Sequence, residues 1–355
     1  MAQVGRLEKK LEACLADKEY YEAHQIYRTL FYRLSSSGKF DELFLLLESG
    51  IQRLFNVSEV GSVCDLAEVY GETLLKSSTP ITPERLASIE KIFRSLPAQS
   101  VDDSTAEETT TDRRMKFITS CVKWSQNVSK REVERARGSS SLHGRLAIAL
   151  WEDETFEMAR AHFLLSDQPE KFGAYLAESC GHDTNAPELC ITQAILQMIC
   201  IRRVSFALKV LSSFTSSYPG GALSSPPFPV PLVQFCWMLL HIVPTRNISF
   251  YSALVARFQS ELAKDAQYMG MLDKIGQLYF GVAPKQPGGG LLSSLLSGLI
   301  GGGGGSGNDK KLPSSDDEDD PMQGGSADSS VFSRELSLLM AADSPQIQQQ
   351  DDDLD

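Results

Sequence analysis

The sequence predicts an all-α protein: a right-handed α-solenoid of tetratricopeptide-like helical hairpins, followed by a disordered acidic C-terminal tail. Three observations predict it. Apolar residues keep helical spacing almost everywhere before residue 285, and no alternating runs flank an Asn-Gly or Asp-Gly pair as a β-hairpin would require. An aromatic or branched residue followed three positions later by a small or aliphatic one recurs along the chain. After Gly281 the texture changes to glycine runs and acidic low-complexity sequence.

The segment YYEAHQIYRTLFYRL (20–34) shows the spacing most plainly. Tyr20, Ala23, Tyr27, Leu30 and Leu34 step by threes and fours onto one helical face, with His24 and Phe31 flanking the stripe. Tyr21, Gln25, Arg28 and Tyr32 fall on the opposite face. Phe40 with Leu43, Phe156 with Ala159 and Val204 with Ala207 repeat the pairing of Tyr20 with Ala23. From Tyr20 to Phe40 is 20 residues, one helix plus a turn, and the pairing is expected to let packed backbones approach.

Breaks are expected at 35–39, 77–84, 96–112, 136–141 and 218–231, where turn-forming residues gather. Thr82 before Pro83 reads as an N-cap with proline at the first helical position. The stretch 218–231 carries five of the 16 prolines, and its length points to an ordered connection. PLVQFCWMLLHIV (231–243) is too short to span a bilayer and reads as a buried helix. About a dozen to fifteen helices are expected in all. In the tail, Phe332, Leu336, Leu339 and Met340 share one side of a helix too short to stand alone.

Charge and cysteines narrow the function. Residues 301–355 hold thirteen acidic and three basic side chains, a net of −10 out of the chain's −12, so the body is nearly neutral and a poor match for nucleic acid. The seven cysteines include no C-x-x-C pair and read as reduced thiols; ten-residue steps between Cys180, Cys190 and Cys200 fit no metal site. The opening MAQVGRLEKKLEACLADKE lacks an apolar core, so no signal peptide is expected and the location reads as cytosolic.

Catalytic signatures are absent from the sequence: no H-E-x-x-H, no G-x-S-x-G, and no Walker loop in GGGGGSGNDKK. His24 and His162 sit beside apolar stripes, where a hydrogen-bonded structural role is the expectation. No catalytic residue, cofactor or metal is assigned. Tyr21, Gln25, Arg28 and Tyr32, with Arg33 beside them and Arg6, Lys9 and Lys10 upstream, combine residue types enriched in protein–protein contacts, although spacing alone leaves a solvated face as the plainer reading. Phe228, Phe235, Trp237, Leu240 and Phe250 offer more apolar surface than one stripe needs; they are either the thickest core or, in part, a groove for a partner's helix. The basic runs at 112–116 and 129–137 read as exposed helix. Ser314 and Ser315 precede DDEDD, a context for acidophilic kinases.

YYEAHQIYRTLFYR (20–33), DKIGQLYFGVAPKQ (273–286) and GGLLSSLLSGLIG (289–301) closely resemble the Golgi-to-ER traffic protein four family. Weaker similarity runs through 122–125, 149–166 and 226–240, and the whole covers about residues 5 to 301. The resemblance implies a curved stack of helical hairpins that catalyses nothing. It implies an adaptor in the targeting of tail-anchored membrane proteins to the ER, with the N-terminal half on the targeting ATPase. The C-terminal half would take a ubiquitin-like partner or a BAG-domain chaperone scaffold. Carried onto this chain, Arg6, Lys10, Tyr21, Gln25, Arg28, Tyr32 and Arg33 belong to the ATPase side, and Phe228, Phe235, Trp237, Leu240 and Phe250 to the other. The expected organisation is 1–150, 151–287, a Leu-rich docking segment at 288–301 that caps the last apolar face, and a tail at 302–355 whose role does not transfer. The alternatives are a helical-repeat subunit of another large assembly and, further off, an all-helical enzyme.

Overall fold

A computed structural model describes residues 2–98, 110–182, 187–218, 223, 225–283 and 326–342. Among these residues lie seventeen α-helices and no strand. The chain divides into two units, Met1–Gln168 and Pro169–Asp355. The first unit holds α1 (Ala2–Ala16), α2 (Tyr20–Ser36), α3 (Phe40–Asn56), α4 (Val60–Lys76) and α5 (Pro83–Ser95). It continues with α6 (Thr110–Val128), α7 (Glu132–Arg137), α8 (Ser140–Glu152) and α9 (Phe156–Phe163). The second holds α10 (Pro169–His182), α11 (Pro187–Cys200), α12 (Val204–Ser217) and α13 (Pro231–Ile242). After these come α14 (Ile248–Arg257), α15 (Gln259–Leu262), α16 (Ala266–Tyr279) and α17 (Ser326–Ala342).

A single turn, used repeatedly, sets the repeat. Lys18, Gly38 and Ser58 take left-handed backbone angles, φ 61°, 68° and 62°. The N–H of the next residue then reaches the carbonyl five positions back: Glu19 to Cys14 at 2.8 Å, and Lys39 to Leu34 and Glu59 to Leu54 at 3.0 Å. This closure satisfies carbonyls that the helix end leaves bare. The next helix starts one residue later, so α2, α3 and α4 each run 17 residues in a 20-residue period. Glu154 (58°) and Arg202 (66°) make the same turn ahead of α9 and α12.

The recurring pair of residue types therefore has a different meaning from the expected one. Its aromatic or branched member is the first residue of a helix, and Tyr20, Phe40 and Val204 are only half-buried. The residue three positions on (Ala23, Leu43, Ala159 or Ala207) is fully buried. Two glycines also sit at close approaches. A Cβ on Gly50 would stand 2.7 Å from the Tyr27 ring, and one on Gly173 would stand 2.6 Å from the Val210 carbonyl and 2.7 Å from the Phe214 nitrogen.

Each unit packs helix on helix. In the first, α2 lies against α1, α3 and α4, and α3 also against α5; α8 then packs on α5 and α9. In the second, α10 packs on α12, while α11 lies among α12, α13 and α16. Tyr27, Phe31, Phe44, Tyr70, Phe93, Phe117 and Trp124 fill the first core; Phe172, Phe214, Phe235, Tyr251 and Tyr268 fill the second. Burying such rings supplies most of the stabilisation, provided their polar tips are bonded. Trp124 Nε1 donates to the Thr79 carbonyl at 3.0 Å, Tyr251 to Leu272 at 2.7 Å and Tyr268 to Leu189 at 2.8 Å. Thr82 caps α5 as expected, accepting from the Arg85 N–H at 3.2 Å. The 218–231 connection is anchored by buried Leu223 and by the Phe228 N–H, which donates to Gln234 Oε1 at 2.8 Å.

Part of the tail differs from expectation. Residues 326–342 form α17, which packs on α14, because Phe332 finds aromatic partners in the second unit. The segment 288–301, including its leucines, and Ser314 and Ser315 lie outside the described residues.

One polar contact makes the core sensitive to acid. His143, buried in α8, donates from Nε2 to the Arg137 carbonyl at 3.0 Å, so its Nδ1 accepts from His162 Nδ1 at 2.8 Å. Burial and the neighbouring ring push His162 down to about 3. The unfolded chain binds a proton on this residue near the ordinary value of about 6.5, whereas the folded chain does not, so stability is full above that pH and falls below it.

Four outcomes are expected. Gly38→Ala meets no neighbour and costs about 1–2 kcal/mol through its backbone alone, while Ser58→Gly relieves comparable strain and stabilises, both read by urea unfolding. Gly173→Ala costs about 1–3 kcal/mol by forcing α10 off α12. Between pH 7 and pH 5 the chain loses about 1–2 kcal/mol that His162→Asn no longer loses; equal slopes in the two titrations would refute the assignment.

Candidate partner-binding surfaces

The α2 segment places its polar aromatic residues on two sides with opposite fates. Tyr27 is buried and pushed up to about 12 by that burial, so its phenol holds its proton at neutral pH. Tyr21 and Tyr32 point outward, 71% and 60% exposed. Gln25 is exposed between them, and the Arg28 guanidinium lies 5.8 Å from the centre of the Tyr32 ring. Arg6 and Lys10 on α1 are exposed, and Arg33 is half-buried. The structure thus brings Tyr21, Gln25, Arg28 and Tyr32 onto one outward face of α2, as the spacing predicts.

Arg28 is also part of the scaffold. It lies 3.5 Å from Asp65 of α4, which accepts a hydrogen bond from His24 Nε2 at 2.7 Å. Burial works to raise the Asp65 carboxyl, but the His24 bond and the Arg28 charge outweigh it and hold it below its ordinary value. His24 therefore has the bonded structural role that its position predicts.

In the second unit the aromatic group separates into core and rim. Phe235 and Leu240 are fully buried, with Phe235 against Phe258 at 5.7 Å, and no partner reaches them without opening the unit. Trp237 and Phe228 meet edge to face at 6.5 Å and keep 4% and 9% exposure, and Phe250 is half-buried. His241 closes the group, its ring 4.8 Å from Trp237 and its Nδ1 donating to the Trp237 carbonyl at 2.8 Å. The sequence reading missed His241, which the i, i+4 spacing from Trp237 would have flagged.

It also missed two arginines that reach into the packing, Arg85 half-buried and Arg114 buried. Arg85 lies 3.7 Å over the Phe44 ring and donates to Glu48 and to the Tyr70 hydroxyl, both at 2.8 Å. Arg114, from the run read as exposed, is 4% exposed, lies 4.0 Å over Phe93 and pairs with Asp153. Such arginines join helices: α3 to α4 and α5 in one case, α6 to α5 and the end of α8 in the other.

Several open clefts lie among the described residues. One of about 350 Å³ is lined by Phe55, Val60, Val63, Leu96, Pro97 and Arg94, and Arg94 is already paired with Glu90 at 3.1 Å and with Glu152. Burial pushes the Cys236 thiol up to about 12, which keeps it protonated at neutral pH. No group of three or more His, Cys, Asp or Glu among the described residues is placed to hold a metal ion. No helix among them is long and apolar enough to cross a membrane.

Comparison with known proteins places the chain in a family. Residues 37–300 match the family described as Golgi to ER traffic protein 4. The Golgi to ER traffic protein 4 homolog of Oryzias latipes is 36% identical over 294 residues, spanning 81% of this chain and 85% of that protein. The homologs of Xenopus tropicalis and Homo sapiens are each 35% identical, over 293 and 294 residues, again spanning 81% of this chain and 85% and 84% of theirs. The crystal structure of C. therm. Get4 has the same fold, with a TM-score of 0.68 at 23% identity over 85% of this chain and 96% of that one. With its stacked helical hairpins and a match across most of its length, the chain belongs to the Golgi to ER traffic protein 4 family.

Proposed function

We infer that this chain is a non-catalytic adaptor scaffold in the cytosol, serving the post-translational targeting of tail-anchored membrane proteins to the ER. The first unit receives the targeting ATPase on the α1–α2 face, and the second receives a ubiquitin-like protein or a BAG-domain chaperone scaffold near Phe228, Trp237 and Phe250. The observation that carries the reading is the outward pair Tyr21 and Tyr32, large apolar rings left in water around Arg28. Rings of this kind, with arginine, concentrate binding energy at protein interfaces. Handing a client onward requires contacts that release, and a small polar-rimmed aromatic face suits fast exchange. Holding two partners on one chain raises the concentration of each near the other. A role without catalysis fits the ionisable groups next to the core: Asp65, Glu48, Arg85 and Arg114 spend their charge tying helices together.

The test uses the full chain with Tyr21→Ala and Tyr32→Ala combined. Both side chains are exposed, so the melting temperature is expected to hold while the Kd for the ATPase rises at least tenfold and the second partner stays bound. Charge reversal at Arg28 is the poorer test, because it sets a carboxylate beside Asp65. Loss of both partners, or of neither, refutes the division of labour.

A further inference from the structure

The C-terminal helix α17 does not stand free. Its Phe332 meets the Trp237 ring edge to face, with centroids 5.9 Å apart, and lies 5.1 Å from the His241 ring. Phe228, Trp237 and His241 thus supply three rings of a four-ring cluster, and the tail supplies the fourth. We propose that α17 is a built-in occupant of the partner-binding face of the second unit, a cis-acting inhibitory helix that an incoming amphipathic helix with an aromatic anchor must displace. The inference rests on the reading that this face takes the second partner.

The seat has the properties of a reversible one. Val331, Phe332, Glu335 and Leu336 form the inward stripe, and all four are only half-buried; Leu338, two positions further on, is 50% exposed. Contact through these side chains lies on one side of the helix, against α13 and α14. A lone helix of 17 residues is marginal in water, so folding of this segment is coupled to docking. Ring pairs of this geometry contribute about 0.5–1.5 kcal/mol each, too little to hold a free peptide tightly. Because helix and seat belong to one chain, docking is intramolecular, which lets a weak contact dominate until a tighter ligand arrives. The seat itself is rigid: His241 is fixed through Nδ1 on the Trp237 carbonyl, and Trp237 sits on a helix whose other residues are nearly all core.

The experiment titrates a fluorescent peptide of residues 326–342 into the full chain, wild type and Phe332→Glu. The peptide is expected to bind the variant at least tenfold more tightly, because the resident helix has been expelled, and a peptide that itself carries Phe332→Glu is expected to bind neither. Hydrogen exchange serves as the second measurement: amides 330–338 lose protection in the variant while those of α13 and α14 keep theirs. Equal peptide affinity for the two chains, or unchanged exchange at 330–338, overturns the proposal. The ubiquitin-like or BAG-domain partner is then titrated into both chains, and tighter binding to the variant is expected. A partner that binds both equally overturns the inhibitory role alone. A partner that binds neither removes the reading of this face, and the inference with it.

Discussion

The architecture depends on how each helix is closed. A residue in the left-handed conformation, followed by an N–H that bonds five residues back, stops one helix and aims the next within three residues. Used at Lys18, Gly38 and Ser58, it gives α2, α3 and α4 the same length and start. Equal lengths in a fixed period return the apolar stripe to the same side each time, so Leu30 and Phe31, Leu47 and Ile51, and Leu66 and Tyr70 are all buried. Slip in one turn by a residue, about 100° of helix, would take a stripe off the core.

Much of this was legible in the sequence, and the reasons for the misses are physical. The stripe of α2, the cap at Thr82 and the apolar helix after Pro231 follow from local rules of spacing and capping. The turns at Lys18, Ser58, Glu154 and Arg202 do not, because ordinary side chains occupy positions where glycine would have announced the bend. Arg114 was read as solvated because its partners, Phe93 and Asp153, come from elsewhere in the sequence. The same distance hid the docking of Phe332 on Trp237.

For the candidate surfaces the sequence told apart the faces of a helix but not the depth of a cluster. Helical spacing alone separated Tyr21 and Tyr32 from Tyr27, since adjacent helices cover only one side of α2. Around Trp237 the same logic fails. Helix α13 is apolar on all sides and buried on nearly all, so nothing in its periodicity distinguishes Phe235, which fills the core, from Trp237, which borders the seat of α17.

The left-handed turns also say something about tolerance. Four of the five repeat joints carry lysine, serine, glutamate or arginine where backbone geometry favours glycine. Their strain is local to the backbone of each joint. The chain therefore holds a reserve of stability at its bends, open to gain by exchange for glycine.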